Sequence, residues 1–478
     1  MEVRSAAAAY EQRRPRVAVC MTPGIGHLIP IMELAKVLVG RHGFSVTIIT
    51  LACSASATQS SLLSSFPSDH FSHVSLPPVS LDDLPDDVRI ETTMSEATVR
   101  SLPALRLALS ALPDVVAFVS DLFSTDTFSV ARELGLPHYL FFPTNLLALS
   151  LILHLPAIEA AATDQDHHLP DPLLLPGCVP IPRPDILHPI QDRSNEVYRW
   201  FVHHGRRYRE AQGILVNSFD AIEPGAAVAL REAEPGRPPV YLIGPLTRKP
   251  AKAGDEEAEC LRWLDRQPPG SVLYVSFGSG GTLPKAQLAE LALGLEMSGQ
   301  RFLWVVRSPS DGGENNEAFF TVQSKADPFR FLPDGFLERT REVGLLVPSW
   351  APQEAVLHHP ATGGILSHCG WNSTLESVVA GVAMVAWPLF AEQRQNAVLL
   401  AEGAGIALRA KAGEGGLVPR EEVARVAREM IEGEEGKAAR RRVAELREQA
   451  LNNLAVGGGA YQALEDVVKE WKGKMGPD

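Results

Sequence analysis

Residues 350–393 read WAPQEAVLHHPATGGILSHCGWNSTLESVVAGVAMVAWPLFAEQ. An apolar run, GGILSH (363–368), passes through SHCGWNS into a helical pattern, STLESVVAG, and a second apolar run, VAMVAWP (382–388), follows and ends near Glu392 and Gln393. Strand, helix and strand with short connections form the repeating unit of a parallel α/β sheet. The stretch contains no Lys and no Arg. An anion held here must therefore rely on a helix N-terminus and on backbone N–H groups.

The same alternation extends in both directions. RVAVCM (16–21), FSVTIIT (44–50), VVAFVSD (115–121), HYLFFP (138–143), GILVNSF (213–219) and YLIGP (241–245) read as buried parallel strands. SVLYVSFGS (271–279), RFLWVVR (301–307) and GLLVPSW (344–350) begin a second series that the quoted stretch completes. A charged break, TRKPAKAGDEEAE (247–259), separates them. The expected architecture is α/β, with two doubly wound domains facing a cleft: residues 1–246, a linker at 247–259, a second domain at 260–460 and a helical tail at 461–478. The polar segment 308–330 is expected to be a mobile surface loop.

Each polar residue of the stretch has two readings. Trp350 offers a face on which a base stacks, or it is packing. Gln353 presents an amide edge suited to a ribose or a uracil, or is an exposed helix start. His368 follows a strand and can donate a ring N–H to a phosphate, or is structural. Ser373 and Glu376 have the S-x-x-E spacing of a capping box, which explains both without a ligand. Glu392 and Gln393 stand where sugar hydroxyls are read in α/β crevices, or they decorate a helix start. In TPGIGHLIP, after the first strand, Gly24 and Gly26 suit a tight turn that delivers His27 to the sheet edge. A dinucleotide fingerprint fails there, because Ile29 fills the third glycine position and TIITLA lacks a ribose-binding acid.

The stretch resembles the signature box of the plant family 1 UDP-glycosyltransferases, and the resemblance runs from near Pro15 to the C-terminus. The flanking HLIP, VSFGSGGT and FLERT resemble the subgroup that glucosylates small phenols such as hydroquinone and lignin precursors. The resemblance implies a GT-B fold of two Rossmann-like domains, with the tail helix crossing back to the first. It implies a UDP-sugar site at Trp350, Ala351, Gln353, His368, Trp371, Asn372, Ser373, Glu376, Glu392 and Gln393. Ser279, in FGSGG after a strand, is a candidate phosphate contact or an ordinary turn, and Thr144, after HYLFFP, is a candidate for a sugar hydroxyl. The final glutamine goes with UDP-glucose. His27 is then the general base, since imidazole titrates near neutrality whereas a phenol stays protonated to about pH 10. Asp121 orients and supports it. Asp126 is the competing acid, in a setting that suggests a helix cap. Glu91, Phe123 and LLALSLILHLP (146–156) are candidates for an apolar acceptor pocket. The implied reaction is inverting glucosyl transfer to a small phenolic acceptor.

No metal is required in that scheme. The D-x-D pattern Asp164-Gln165-Asp166, followed by His167 and His168, reads as a solvated loop. A net charge of −13 excludes nucleic acid and anionic membrane as expected partners. Five cysteines, Cys20, Cys53, Cys178, Cys260 and Cys369, show no paired spacing and fit a reducing compartment. No signal-peptide core is present, and the longest apolar run falls well short of the ~20 residues that a bilayer requires. A cytoplasmic monomer without stable membrane insertion is expected. A nicotinamide dehydrogenase is disfavoured by the broken fingerprint, and a non-catalytic UDP-sugar sensor by the presence of His27 and Asp121.

Overall fold

The computed structural model describes residues 14–51, 57–66, 68–163, 167–248, 259–309, 327–413 and 415–473. Its first sheet contains β1 (Arg16–Met21), β2 (Ser45–Thr50), β3 (Phe71–Ser75), β4 (Val115–Asp121), β5 (His138–Phe142), β6 (Ile214–Val216) and β7 (Val240–Leu242). The order is β3-β2-β1-β4-β5-β6-β7, and every pairing is parallel. A second parallel sheet contains β8 (Val272–Ser276), β9 (Arg301–Val306), β10 (Gly344–Pro348), β11 (Thr362–Ser367), β12 (Met384–Ala386) and β13 (Ala407–Arg409), in the order β10-β9-β8-β11-β12-β13. The inner strands are buried on both faces, which is why they read as continuous apolar runs.

Two strands lack that signal. β3 is an edge strand of mixed burial, FSHVS, and β13 is a three-residue edge strand, ALR. Both are short or mixed in burial, and an edge strand needs no second apolar face, which weakens the apolar run that marks the inner strands.

Strand order reverses between β1 and β4 in one sheet and between β8 and β11 in the other. At such reversals the connecting helices leave on opposite faces and open a crevice at the strands' carboxyl ends. The two crevices are tied together across the cleft. The Trp371 indole N–H donates to the Asn217 carbonyl (2.7 Å), Asn145 donates to Asn396 (2.5 Å), and Arg409 pairs with Asp185 (2.6 Å).

Helix Leu146–Ala161 contains the LLALSLILHLP run, and Leu146–Leu153 and Leu155 are all buried. Its uniform apolarity is that of a helix enclosed on every side. Helix Gly459–Gly473 buries Leu464, Val467, Val468 and Trp471 in the core of the first sheet, beside Val17 and Phe44. Trp471 meets Phe44 and Tyr139 edge-on at 5.9 and 5.4 Å, and Tyr139 donates to Glu470 (2.9 Å). Most of the expected linker (249–258), most of the expected loop (310–326), the acidic pattern at 164–166 and Cys53 lie outside the described residues.

Candidate functional site

The first half of the site is built at the β1/β4 crevice. Past the end of β1 the chain turns at Gly24, whose φ of +139° is strained for any side chain, and the helix Ile25–Gly40 starts at once. Gly26 has no such φ and a Cβ there would meet nothing, so the turn requires only the first of the two glycines. His27 lies in the helix's first turn, and its Nδ1 donates to Asp121 Oδ2 at 2.6 Å, in the tautomer that leaves Nε2 free to accept. The aspartate is completely buried at the end of β4. It also accepts from Thr22 Oγ1 (2.5 Å), the Thr22 amide (3.2 Å) and the Leu122 amide (2.7 Å).

Burial disfavours the imidazolium, but the charge and hydrogen bond of Asp121, aided by the charge of Glu392, outweigh it, so the His27 pKa rises above 6.5. Burial likewise opposes the Asp121 carboxylate, and its partners again prevail, leaving its pKa below the usual value. Phe123 stacks near the imidazole, with ring centroids 6.2 Å apart. Glu91 sits in the first turn of helix Ile90–Ala111, where burial raises its pKa. Ser95 of that helix bonds His204 (2.9 Å), whose ring meets Phe123 edge-on at 5.8 Å, so Glu91 and Phe123 belong to connected elements. Asp126 is not a helix cap. Its carboxylate pairs with His203 (3.0 Å) and Arg207 (3.7 Å) rather than with His27.

The second half occupies the β8/β11 crevice and its neighbours. Among the described residues four non-glycines have positive φ, and three of them, Ser349, Cys369 and Ala391, follow β10, β11 and β12. Backbone held in this region costs on the order of 1–3 kcal/mol per residue and clusters at binding sites. The turn at Ser349 leaves Trp350 66% exposed, a bare aromatic face, while Ala351 beneath it is buried.

Gln353 is the hub of the crevice. Its Oε1 accepts from Ser276 (3.1 Å), and its Nε2 donates to Ser373 Oγ (3.0 Å) and Glu376 Oε2 (2.7 Å). The capping-box reading therefore fails. The helix runs Trp371–Ala380 with Gly370 as its N-cap, Ser373 is already inside it, and the Glu376 side chain is turned to Gln353. Burial and the nearby Glu354 push Glu376 up to about 7.

His368 lies between two glycines. A Cβ at Gly278 would approach its Cε1 to 2.5 Å, and one at Gly370 its Nε2 to 2.4 Å. Burial lowers its pKa to about 4, so it is a neutral ring near neutral pH. Asn372 donates across the cleft to the Gly26 carbonyl (2.9 Å), one residue from His27. The Trp371 side chain is buried and committed to Asn217, so it joins the halves instead of facing the crevice.

At the end of β12, Glu392 accepts from Thr144 of the first half (3.3 Å). Gln393 Oε1 is occupied by the Leu389 and Phe390 amides (2.9 and 3.0 Å), which leaves its amide N–H groups for a ligand. Ser279, in the loop after β8, has its carbonyl held by Arg307 Nη1 at 2.5 Å. Thr22 and Arg307 carry no motif in the sequence. Both are the first residue beyond a strand's carboxyl end, and that position was the available signal.

A sequence model described as UDP-glucoronosyl and UDP-glucosyl transferase matches residues 233–438. The chain is 51% identical to UDP-glycosyltransferase 72B1 of Arabidopsis thaliana, over 97% of both chains. The chain belongs to the plant family 1 UDP-glycosyltransferases. Hydroquinone glucosyltransferase of Rauvolfia serpentina is 49% identical over 97% of this chain and 99% of its own. UGT2 of Phytolacca americana, complexed with UDP-2-fluoro-glucose and pterostilbene, superposes with a TM-score of 0.86 at 45% identity, covering 96% of this chain and all of that one. This UDP-glycosyltransferase thus has the GT-B fold: two parallel-sheet domains with a switch-point crevice in each. Among its described residues no helix is long and apolar enough to cross a membrane, and no group of three or more metal-ligating side chains gathers.

Proposed function

We propose that this glycosyltransferase moves glucose from UDP-glucose to the hydroxyl of a small phenol of the hydroquinone, monolignol or flavonoid kind, with inversion. The observation that carries the reading is the 2.6 Å His27–Asp121 pair, facing the nucleotide crevice across the Asn372 bridge to Gly26. Support for the acceptor class comes from the hydroquinone glucosyltransferase and from the pterostilbene-bound relative.

The acceptor oxygen attacks C1 of the α-linked donor from the His27 side while Nε2 takes its proton. The bond from C1 to the β-phosphate oxygen breaks, UDP departs with the electron pair, and a β-glucoside forms. Asp121 holds the imidazole in the productive tautomer and stabilises the imidazolium that results. On the donor side we assign the uracil to Trp350 and Ala351, ribose to Gln353 and Glu376, and the diphosphate to His368, Asn372, Ser373 and Ser279. The sugar hydroxyls fall to Glu392, Gln393 and Thr144, with Glu91 and Phe123 on the acceptor. Trp371 supports this set from behind.

The chemistry is metal-independent in this reading, because the helix N-terminus and the neutral His368 face the leaving diphosphate. We further propose a cytoplasmic monomer. The test is a panel of phenols, flavonols and monolignols assayed with UDP-glucose, with and without EDTA, and product read by mass. Glucosides should form equally in both arms. No glucoside from any phenol sinks the acceptor class, and activity lost to EDTA but restored by Mg²⁺ sinks metal independence.

A further inference from the structure

The diphosphate of a UDP-sugar is dianionic, and the groups assigned to it are poor in charge. A helix N-terminus contributes roughly half an elementary charge. His368 is neutral, and the neighbouring Glu376 carboxyl, pushed up to about 7, supplies no positive charge. The 350–393 stretch supplies no cation of its own.

Arg307 lies just past the carboxyl end of β9, the neighbour of β8. The residue is half-buried, and its guanidinium donates to the Ser279 carbonyl at 2.5 Å. The same loop presses Gly278 against the His368 ring. Arg339, Arg409 and Arg420 of this half have carboxylate partners, Glu296 (2.6 Å), Asp185 (2.6 Å) and Glu290 (2.5 Å), whereas Arg428, Arg440 and Arg447 bond backbone carbonyls, as Arg307 does, but away from the Ser279 loop. Among the described residues no carboxylate pairs with Arg307, and burial lowers its pKa with no anion to offset the effect. A partly desolvated guanidinium without a counter-ion is a site for one.

We propose that Arg307 is the cationic component of the donor site, neutralising the diphosphate of bound UDP-sugar and of departing UDP while it holds the Ser279 loop in place. The proposal rests on the donor-site assignment given above. It differs from a purely structural role because its effect must scale with the number of phosphates.

The experiment is calorimetric titration of wild type, Arg307→Gln and Arg307→Lys with uridine, UMP and UDP at low and high salt. Arg307→Gln should weaken UDP by about tenfold or more, the scale of one hydrogen bond to a charged group. UMP should weaken less, and uridine should bind as in wild type, which also reports an intact fold. Arg307→Lys should recover most of the UDP affinity, and the salt dependence of UDP binding should be shallower in the Gln variant. A UDP loss with an unchanged salt dependence would make Arg307 a loop support only, equal losses for uridine and UDP would make it a general fold support, and unchanged UDP affinity would remove it from the site. Wild type that binds neither uridine nor UDP would overturn the donor-site assignment itself, and this proposal with it.

Discussion

Thr22 Oγ1 contacts both members of the proposed catalytic pair, 2.5 Å from Asp121 and 3.2 Å from His27, so the imidazole is held by a network rather than by one bond. His27→Ala should lower phenol glucosylation by about 10²–10⁴-fold while UDP affinity, measured by titration, stays near wild type. A proportional loss of UDP affinity would make His27 a donor-binding residue. The base works as the neutral ring and its pKa is raised, so kcat/KM should fall as pH drops through a value above 6.5. Asp121→Asn removes the charge that raises it. Its acid limb should move to lower pH and its plateau should drop, and an unmoved limb would count against the pair. At Gln393 only the amide N–H groups remain for the sugar, since Oε1 holds two backbone amides. Gln393→His should lower UDP-glucose use and raise relative use of UDP-galactose, and unchanged donor ratios in a folded variant would exclude Gln393 from sugar choice.

The elements that carry these residues have their own electrostatics. Helix Leu146–Ala161 begins at the cleft with Asn145 as N-cap, and buried Glu223 accepts from the Leu146 and Leu147 amides at 2.9 and 2.8 Å. Burial nonetheless pushes Glu223 up to about 7. A carboxyl whose folded pKa exceeds its unfolded value of about 4.5 stabilises fully below 4.5, and that contribution is lost as pH rises through 7. The difference is on the order of 3 kcal/mol. Unfolding midpoints of the wild type should therefore carry a decline between pH 5 and 8 that Glu223→Gln lacks, and identical pH slopes would show that the buried carboxyl is already ionised. The strands were legible because inner parallel strands must be apolar on both faces. The start of helix Trp371–Ala380 was not, because S-x-x-E spacing fits a cap as well as an interior position, and only the Gly370 backbone distinguishes them.

Across the whole molecule, the chain closes on itself through its last helix. Trp471 is fully buried against Phe44 and Tyr139 of the first sheet, although it follows the second sheet in sequence. Trp471→Ala should cost about 3–5 kcal/mol, as large core truncations do, read as a lowered thermal midpoint of the first domain. Trp471→Phe should cost much less because the apolar bulk remains. A midpoint that Trp471→Ala leaves unchanged would mean that the tail is not part of that core. The ties across the cleft, Trp371 to Asn217 and Asn145 to Asn396, hold the two halves together.

What the sequence determined alone was the periodic part and the motif part. Apolar runs of strand length alternating with helical patterns specify two parallel sheets, since burial on both faces leaves no other composition available. The 350–393 box, with His27 after β1 and Asp121 at the end of β4, holds the polar residues that line the two crevices. Tertiary structure decided how those side chains are spent. It turned Trp371 away into the interdomain contact, occupied Gln393 Oε1 with backbone, made Gln353 the hub between Ser276, Ser373 and Glu376, and set Thr22 against Asp121 and Arg307 against the Ser279 carbonyl. The physical reason is that periodicity follows from burial, which each segment encodes locally. A polar side chain's partner is fixed by directions in space, and those exist only once strands distant in the chain lie side by side.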